Sequence, residues 1–143
     1  MSHFKRIGLL GSLDVAEVKE SLQKLESFLV SQGREVVYEE QAAKLVDWTV
    51  DKTLPIEEFA GAIDLGIVVG GDGSMLSACR KMAASGIPLL GINRGRLGFL
   101  TDISPDEIEA RVMPVLNGEY KQTRRFMLET SVTRNGQQIG TGT

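Results

Sequence analysis

The chain has 143 residues, of which 42% are apolar and 24% are charged. This length allows about one domain, and the composition is ordinary for a globular fold. A net charge of −3 argues against a nucleic-acid-binding protein, because such proteins need a concentrated basic face. The single cysteine, Cys79, excludes an internal disulfide, and no apolar run is long enough to span a membrane. We therefore expect a cytoplasmic protein without membrane or nucleic-acid partners.

The N-terminal part of the sequence predicts a β-α-β unit. Residues 7–10 form a short apolar strand candidate, and residues 35–38 form a second one. Between them, apolar residues recur at three- and four-residue steps from position 15 to 29, which predicts an amphipathic helix. Asp14 with Glu17 resembles a capping box at the start of this helix, and Gly33 supplies a left-handed residue after its end.

The middle of the chain continues the alternation of strands and helices. Residues 39–62 are hard to interpret and suggest a variable excursion. Residues 65–69 then predict a third strand, residues 74–85 a helix and residues 88–92 a fourth strand. This pattern is typical of an α/β fold with an open, mostly parallel, Rossmann-like sheet and flanking helices.

The turn at positions 70–73, Gly-Gly-Asp-Gly, places the carboxylate of Asp72 at the carboxyl end of the third strand. Open α/β sheets bind ligands at that edge, and a glycine turn before a helix lets backbone N–H groups approach phosphate oxygens. A carboxylate in such an anion-binding turn is expected to act as a base that deprotonates an attacking hydroxyl, or as a group that helps to hold a metal. The alternative is a structural turn in which Asp72 caps the helix.

A second glycine-punctuated loop, residues 93–102, follows the fourth strand. The carboxyl ends of parallel strands share one edge of the sheet, so we expect both loops to face one crevice. Arg94 and Arg96 are candidates to clamp phosphate oxygens, with solvated surface charge as the alternative. Phe99 either packs under the loop or offers its ring to an adenine.

The C-terminal part predicts one further helix and then a change of fold type. Ser104, Pro105 and Glu107 form a helix start with a capping box, and Pro114 is expected to kink or end that helix early. From residue 126 apolar and polar residues alternate, with an Asn-Gly turn at 135–136, which predicts an antiparallel hairpin. We therefore expect an α/β domain over residues 1–123 and the start of a truncated, antiparallel β domain over residues 124–143.

Two motifs together resemble the bacterial NAD kinases. The first is Gly-Gly-Asp-Gly-Ser-Met-Leu at residues 70–76, and the second is Gly-Ile-Asn-Arg-Gly-Arg-Leu-Gly-Phe-Leu-Thr-Asp at residues 91–102. The Gly-Gly-Asp-Gly element also occurs in diacylglycerol and sphingosine kinases and in phosphofructokinases, whereas the second block is characteristic of the NAD kinases. Ser74 replaces the commoner threonine of this family and keeps the hydroxyl group.

The resemblance implies transfer of the terminal phosphoryl group of ATP, or of polyphosphate, to the adenosine ribose 2′-hydroxyl of NAD, which gives NADP. It also implies a divalent metal cation, with Mg²⁺ as the expected ion, and small-molecule nucleotides as partners. Asp72 is then the general base. The expected nucleotide contacts are Gly71, Asp72, Gly73, Ser74, Leu76, Asn93, Arg94, Arg96 and Phe99. Family members are about twice this length and commonly homo-oligomeric. Their second domain brings an Asn-Glu or Asn-Asp pair and further nucleotide contacts, so we expect this chain alone to be inactive.

Other functions remain as alternatives. A lipid kinase of the diacylglycerol type would share the Gly-Gly-Asp-Gly element, and a nucleotide-binding module without catalysis would share the fold. A hydride-transfer Rossmann site is disfavoured because Leu76 stands where the dinucleotide fingerprint needs its third glycine. A Walker A loop is disfavoured too, since no Gly-Lys-Ser/Thr follows a glycine turn.

Overall fold

The computed structural model describes residues 4–94, 98, 100–101, 103–118, 132–133 and 139–140. Its centre is a five-stranded sheet in which each pair of neighbouring strands is parallel. The strands are β1 (Arg6–Leu10), β2 (Glu35–Glu39), β3 (Thr53–Leu54), β4 (Leu65–Gly70) and β5 (Leu89–Asn93). The α-helices are α1 (Ala16–Ser31), α2 (Glu40–Leu45), α3 (Asp72–Met82) and α4 (Ile108–Leu116), and short 3-10 helices cover Ile56–Gly61, Ala83–Ser85 and Pro105–Glu107. The predicted parallel α/β fold is confirmed.

The spatial order of the strands, β3-β2-β1-β4-β5, reverses direction at β1. The chain builds outward from β1 through β2 to β3, and then returns to the other side of β1 to add β4 and β5. In open α/β sheets the crevice at such a reversal, outside the carboxyl ends of the strands, is where ligands bind. The fold thus directs attention to the segments that follow β1, β4 and β5.

Both faces of the sheet are covered, because successive strand residues point to opposite sides. In β4, Leu65, Ile67 and Val69 join a core with α1 and α4, whereas Val68 joins a second core with α3 and the 3-10 helix at Ile56–Gly61. Burial on both faces explains why β4 is an uninterrupted apolar run rather than an alternating one.

The sequence predicted the C-terminal end of α1 correctly but not its N-terminal cap. At the N-terminus the N-cap residue is Val15 and makes no side-chain cap hydrogen bond, so the capping box of Asp14 with Glu17 was a wrong prediction. At the C-terminus Gly33 has a φ of 76°, as expected. Its N–H donates to the carbonyl of Val30 at 3.0 Å, and Arg34 N donates to Leu29 O at 2.9 Å, which is a Schellman motif.

Replacing Gly33 with alanine is expected to destabilise the protein by about 1–2 kcal/mol, because an L side chain strains the left-handed conformation. A Cβ at Gly33 meets no atom within 4 Å, so the backbone conformation is the only cost. Gly61→Ala is the matched control, since its Cβ also meets nothing within 4 Å and its φ is not in the left-handed region. Urea unfolding of both variants measures the difference, and equal midpoints would contradict the expectation.

The last helix starts as predicted and runs further than predicted. The capping box of Ser104 and Glu107 is present, which confirms that start. Pro114 lies inside α4, which continues to Leu116, so the expected early end was wrong. The reason is packing: Val115 and Leu116 are buried in the core, and this burial offsets the one backbone hydrogen bond that Pro114 cannot donate.

Residues 39–62 contain three short elements that the sequence did not reveal. They are α2, β3 and the 3-10 helix at Ile56–Gly61, of six, two and six residues. Elements this short carry too little periodicity for prediction. Their positions are set by tertiary contacts instead: Tyr38 N donates to Lys52 O at 2.9 Å beside β3, and Phe59 is fully buried in the second core.

In the C-terminal segment two short strands, β6 (Val132–Thr133) and β7 (Ile139–Gly140), pair in the antiparallel sense. The predicted Asn-Gly turn between them and most of residues 119–143 lie outside the described residues. The start of an antiparallel β domain therefore stays a prediction. Within the described segments, no helix combines the length and the apolar character that a membrane crossing needs.

Candidate active site

Asp72 is the first residue of α3 and directly follows the turn at the end of β4. The helix begins two residues earlier than predicted, and Gly71, not Asp72, holds the N-cap position. Gly71 O accepts the hydrogen bond of Met75 N at 3.1 Å. The half-buried carboxylate of Asp72 thus lies at the positive end of the α3 dipole, which stabilises its charge.

The Asp72 carboxylate binds the second loop. Its Oδ1 atom accepts hydrogen bonds from Leu100 N at 2.8 Å, Thr101 N at 3.3 Å and Thr101 Oγ1 at 3.4 Å. Hydrogen bonds to an ionised acceptor are stronger than those between neutral groups. The two loops that the sequence singled out therefore meet at Asp72, and the second loop fixes the direction of its carboxylate.

The second loop is in turn anchored on β5. Asn93, the last residue of that strand, is 2% exposed, and its Nδ2 donates to Thr101 O at 3.2 Å. Asn93 N also donates to Ile103 O at 2.8 Å, which ties the far end of the loop to the strand. The predicted nucleotide contact of Asn93 stays a prediction, and the structure shows that its side chain anchors the second loop.

Two glycines allow this close approach. A Cβ at Gly98 would lie 2.7 Å from Asp72 Oδ1 and would overlap Thr101 Oγ1. A Cβ at Gly70 would lie 2.8 Å from Ser74 Oγ, and the φ of Gly70, 152°, is one that residues with side chains rarely adopt. Side chains at these two positions would push the Asp72 carboxylate and the start of α3 out of place.

The other predicted contact residues on and before α3 are close to Asp72 in sequence. Gly73 is exposed, whereas Gly71 and Ser74 are half-buried. Leu76, one turn further, keeps 43% of its surface exposed although it is a large apolar residue. An apolar side chain in this position is available to a ligand, since it is not used by the core.

The predicted residues of the second loop are only partly described. Arg94 follows β5 directly and is exposed, so its guanidinium is accessible at the same edge of the sheet as Asp72. Arg96 and Phe99 lie outside the described residues. Their predicted contacts with phosphate and adenine stay predictions.

A small open cleft lies between α3 and the carboxyl ends of β1 and β2. We call it the α3 cleft; its polar lining consists of Ser12, Glu39, Gln41, Ser74, Ser77 and Lys81. Of these, the sequence analysis singled out only Ser74. The signal that pointed to Glu39 was its position directly after the predicted strand 35–38, at the ligand-binding edge of the sheet.

Titratable groups with shifted pKa values lie away from Asp72. Burial raises the pKa of the Cys79 thiol to about 11, so the thiol is protonated at neutral pH, in keeping with a structural cysteine. Burial and the Glu26 carboxylate raise the pKa of Tyr38. Slight burial opposes ionisation of Asp64, but the Arg6 guanidinium, at 3.0 Å, and nearby backbone N–H groups hold its pKa below the usual range. These groups stabilise the fold rather than form a reaction site.

A parallel sheet covered by helices on both faces, with a glycine turn and a fixed carboxylate at its carboxyl edge, defines a doubly wound α/β domain. Domains of this class bind their ligands at that edge. Residues 7–120 match the family model of the ATP-NAD kinase N-terminal domain. The chain belongs to this family.

Curated relatives named NAD kinase agree with that assignment. The protein of Hahella chejuensis is 44% identical over 142 residues, which are 99% of this chain and 48% of the relative. The protein of Saccharophagus degradans is 48% identical over 139 residues, which are 97% of this chain and 47% of the relative. This chain therefore spans about half the length of these relatives.

Solved structures share the fold. Yeast NADH kinase complexed with NADH has a TM-score of 0.70 at 18% identity, over 80% of this chain and 38% of that one. An NAD kinase from Archaeoglobus fulgidus in complex with ATP has a TM-score of 0.58 at 25% identity, over 79% of this chain and 37% of that one.

Proposed function

We propose that the whole protein, meaning this chain with any further sequence that its gene encodes, is an NAD kinase. The reaction is transfer of the terminal phosphoryl group of ATP, or of polyphosphate, to the adenosine ribose 2′-hydroxyl of NAD. One observation carries the proposal: the Asp72 carboxylate stands at the ligand edge of the sheet with its direction fixed by Leu100 and Thr101. Family membership and the named relatives support it.

In this mechanism Asp72 is the general base. It accepts the proton of the ribose 2′-hydroxyl while the hydroxyl oxygen bonds to the terminal phosphorus and ADP leaves with the electron pair of the broken P–O bond. Positioning and charge stabilisation account for most of the catalysis in phosphoryl transfer. The fixed carboxylate supplies the positioning, and the N–H groups at the start of α3 face the charge of the phosphates.

The remaining contacts are proposed from the family resemblance and the positions described above. Gly73, Leu76 and Phe99 line the NAD site, while Gly71, Ser74, Arg94 and Arg96 bind phosphate groups. Leu76 is suited to an apolar contact because it is exposed beside Asp72, and Arg94 is suited to a phosphate because it is accessible at the same edge. Asn93 is proposed as a nucleotide contact as well, and it anchors the second loop.

A divalent cation enters this proposal as part of the substrate. Among the described residues there is no group of three or more His, Cys, Asp or Glu that could hold a metal ion. Mg²⁺ is commonly held by substrate phosphates and water with only one or two carboxylates. We therefore propose that it arrives with ATP, where it neutralises phosphate charge.

Three further properties of the whole protein are proposed. Residues 1–123 form the α/β domain and residues 124–143 begin a β domain, which is supported by the family model that matches residues 7–120. The protein is cytoplasmic, which is supported by its bacterial relatives and its single cysteine. It is a homo-oligomer, for which the support is the family resemblance.

The proposed function is tested by offering NAD and diacylglycerol, each with ATP and Mg²⁺, to the purified whole protein. We expect NADP and no phosphorylated lipid. Transfer to the lipid alone would make the protein a lipid kinase. Nucleotide binding without either product, under every phosphoryl donor and metal tried, would make it a binding module and would contradict the proposal.

A further inference from the structure

Thr101, in the second loop, contacts the Asp72 carboxylate through both its backbone and its side chain. Its N–H donates to Asp72 Oδ1 at 3.3 Å, and its hydroxyl group donates to the same oxygen at 3.4 Å. Thr101 is fully buried, so its side chain has no exposed surface to offer to a nucleotide. An effect of this side chain on the proposed reaction must therefore pass through the groups that it contacts.

The strand beneath the loop holds Thr101 in place. The carbonyl oxygen of Thr101 accepts hydrogen bonds from Asn93 Nδ2 and from Gly98 N, each at 3.2 Å. Its methyl carbon, Cγ2, lies so close to Gly91 of β5 that a Cβ at Gly91 would be 2.8 Å from it. The methyl group thus faces the strand while the hydroxyl group faces Asp72. Contacts at both branches of this β-branched side chain hold it in one rotamer and give the hydroxyl group a fixed direction.

These contacts distinguish the two oxygens of the Asp72 carboxylate. Oδ1 accepts hydrogen bonds from Leu100 N at 2.8 Å and from the two donors of Thr101. A carboxylate has about four lone-pair sites on its two oxygens, so these donors fill the sites of Oδ1. Hydrogen bonds to an ionised oxygen also stabilise its charge, which makes it a poorer proton acceptor. Oδ1 is therefore the anchored oxygen, and Oδ2 is the better base.

We propose that Thr101 is a positioning residue for the general base: it holds Oδ1 of Asp72 so that Oδ2 faces the ribose 2′-hydroxyl of NAD. The inference rests on the proposed kinase function and deepens it, because it names the oxygen that acts as base and the side chain that orients it. As the hydroxyl oxygen bonds to the terminal phosphorus and ADP leaves with the electron pair of the broken P–O bond, the hydroxyl proton moves to Oδ2. A displacement of a reacting group by about 1 Å can cost about 10²-fold in rate, so this orientation matters.

The test removes the hydroxyl group in two matched pairs, which are the wild type with Thr101→Val, and Thr101→Ser with Thr101→Ala. Within each pair we expect kcat for NADP formation by the whole protein to fall about 10-fold. This is the lower end for a hydrogen bond to a charged group, because the contact of 3.4 Å is long. The KM for NAD should stay nearly unchanged, and Thr101→Ser should keep most of the rate that Thr101→Val loses.

Two controls separate orientation of the base from a general loss of structure. Thr53→Val makes the same chemical change at an exposed threonine of β3 and should leave kcat unchanged. Should Thr101→Val fail to fold, as judged by thermal unfolding, the serine and alanine pair gives the same comparison without adding a methyl group. In an Asp72→Asn background the loss of the Thr101 hydroxyl should lower kcat little further, since the base that it orients is gone.

Each contrary result overturns the inference. Equal kcat within both pairs would show that the hydroxyl group does not orient the base. A raised KM for NAD with unchanged kcat would make Thr101 a determinant of binding, and the same fold loss with and without the Asp72 carboxylate would make its role structural. All three results leave the kinase proposal intact, whereas absence of NADP from the wild type with every phosphoryl donor would refute that proposal and this inference with it.

Discussion

Replacing Asp72 with asparagine is expected to lower the rate of NADP formation by the whole protein ~10²–10⁴-fold, the usual contribution of a general base. The amide oxygen of asparagine still accepts the hydrogen bond of Leu100 N, so the loop should keep its position. NAD binding should therefore be nearly unchanged, and the loss should appear in kcat rather than in KM. Steady-state kinetics with NAD and ATP measure both parameters.

Asp51→Asn is the control for this experiment, because it makes the same chemical change at an exposed residue outside the site. It should leave kcat at the wild-type value. Thermal unfolding of Asp72→Asn should show only a small shift, since a charge at a helix N-terminus contributes about 0.3–1 kcal/mol. Near-normal turnover of Asp72→Asn would reduce this residue to a structural link between the two loops and would refute the mechanism.

Replacing Gly98 with alanine is expected to lower kcat about 10²-fold, the cost that a displacement near 1 Å can have on a reacting group. The added Cβ would lie 2.7 Å from Asp72 Oδ1 and overlap Thr101 Oγ1, so the carboxylate and the loop must move apart. The three atoms nearest to the added Cβ belong to Asp72 and Thr101 rather than to the hydrophobic core, so the global fold should persist. Kinetics and circular dichroism of the whole protein test the two halves of this expectation.

Gly61→Ala controls for the loss of glycine as such, because its Cβ meets no atom within 4 Å. It should leave kcat unchanged. Combining Gly98→Ala with Asp72→Asn adds a further check: if glycine acts through the carboxylate, the double variant should be little slower than Asp72→Asn alone. Fully multiplicative losses would show that Gly98 serves catalysis by another route.

The regular part of the fold and the centre of the site could be predicted from sequence because their signals are local. An apolar run buried on both faces predicts β4, and three- and four-residue spacing predicts α1. The glycine turn alone left a helix-capping role for Asp72 as an alternative, and the second motif at residues 91–102 made the resemblance specific. Gly33 was predictable for the same kind of reason, because the position needs a left-handed residue.

Tertiary contacts determine the features of the fold and of the site that the sequence did not predict. The sequence determined that Asp72 lies at the ligand edge, but only the folded chain shows that Leu100 and Thr101 hold its carboxylate, since these residues are 28 and 29 positions away. The course of α4 through Pro114 and the position of β3 follow from burial and strand pairing, which a local pattern does not encode. Glu39 is a further case: its position at a strand end was visible in the sequence, whereas its place in the α3 cleft depends on α3 packing across the sheet.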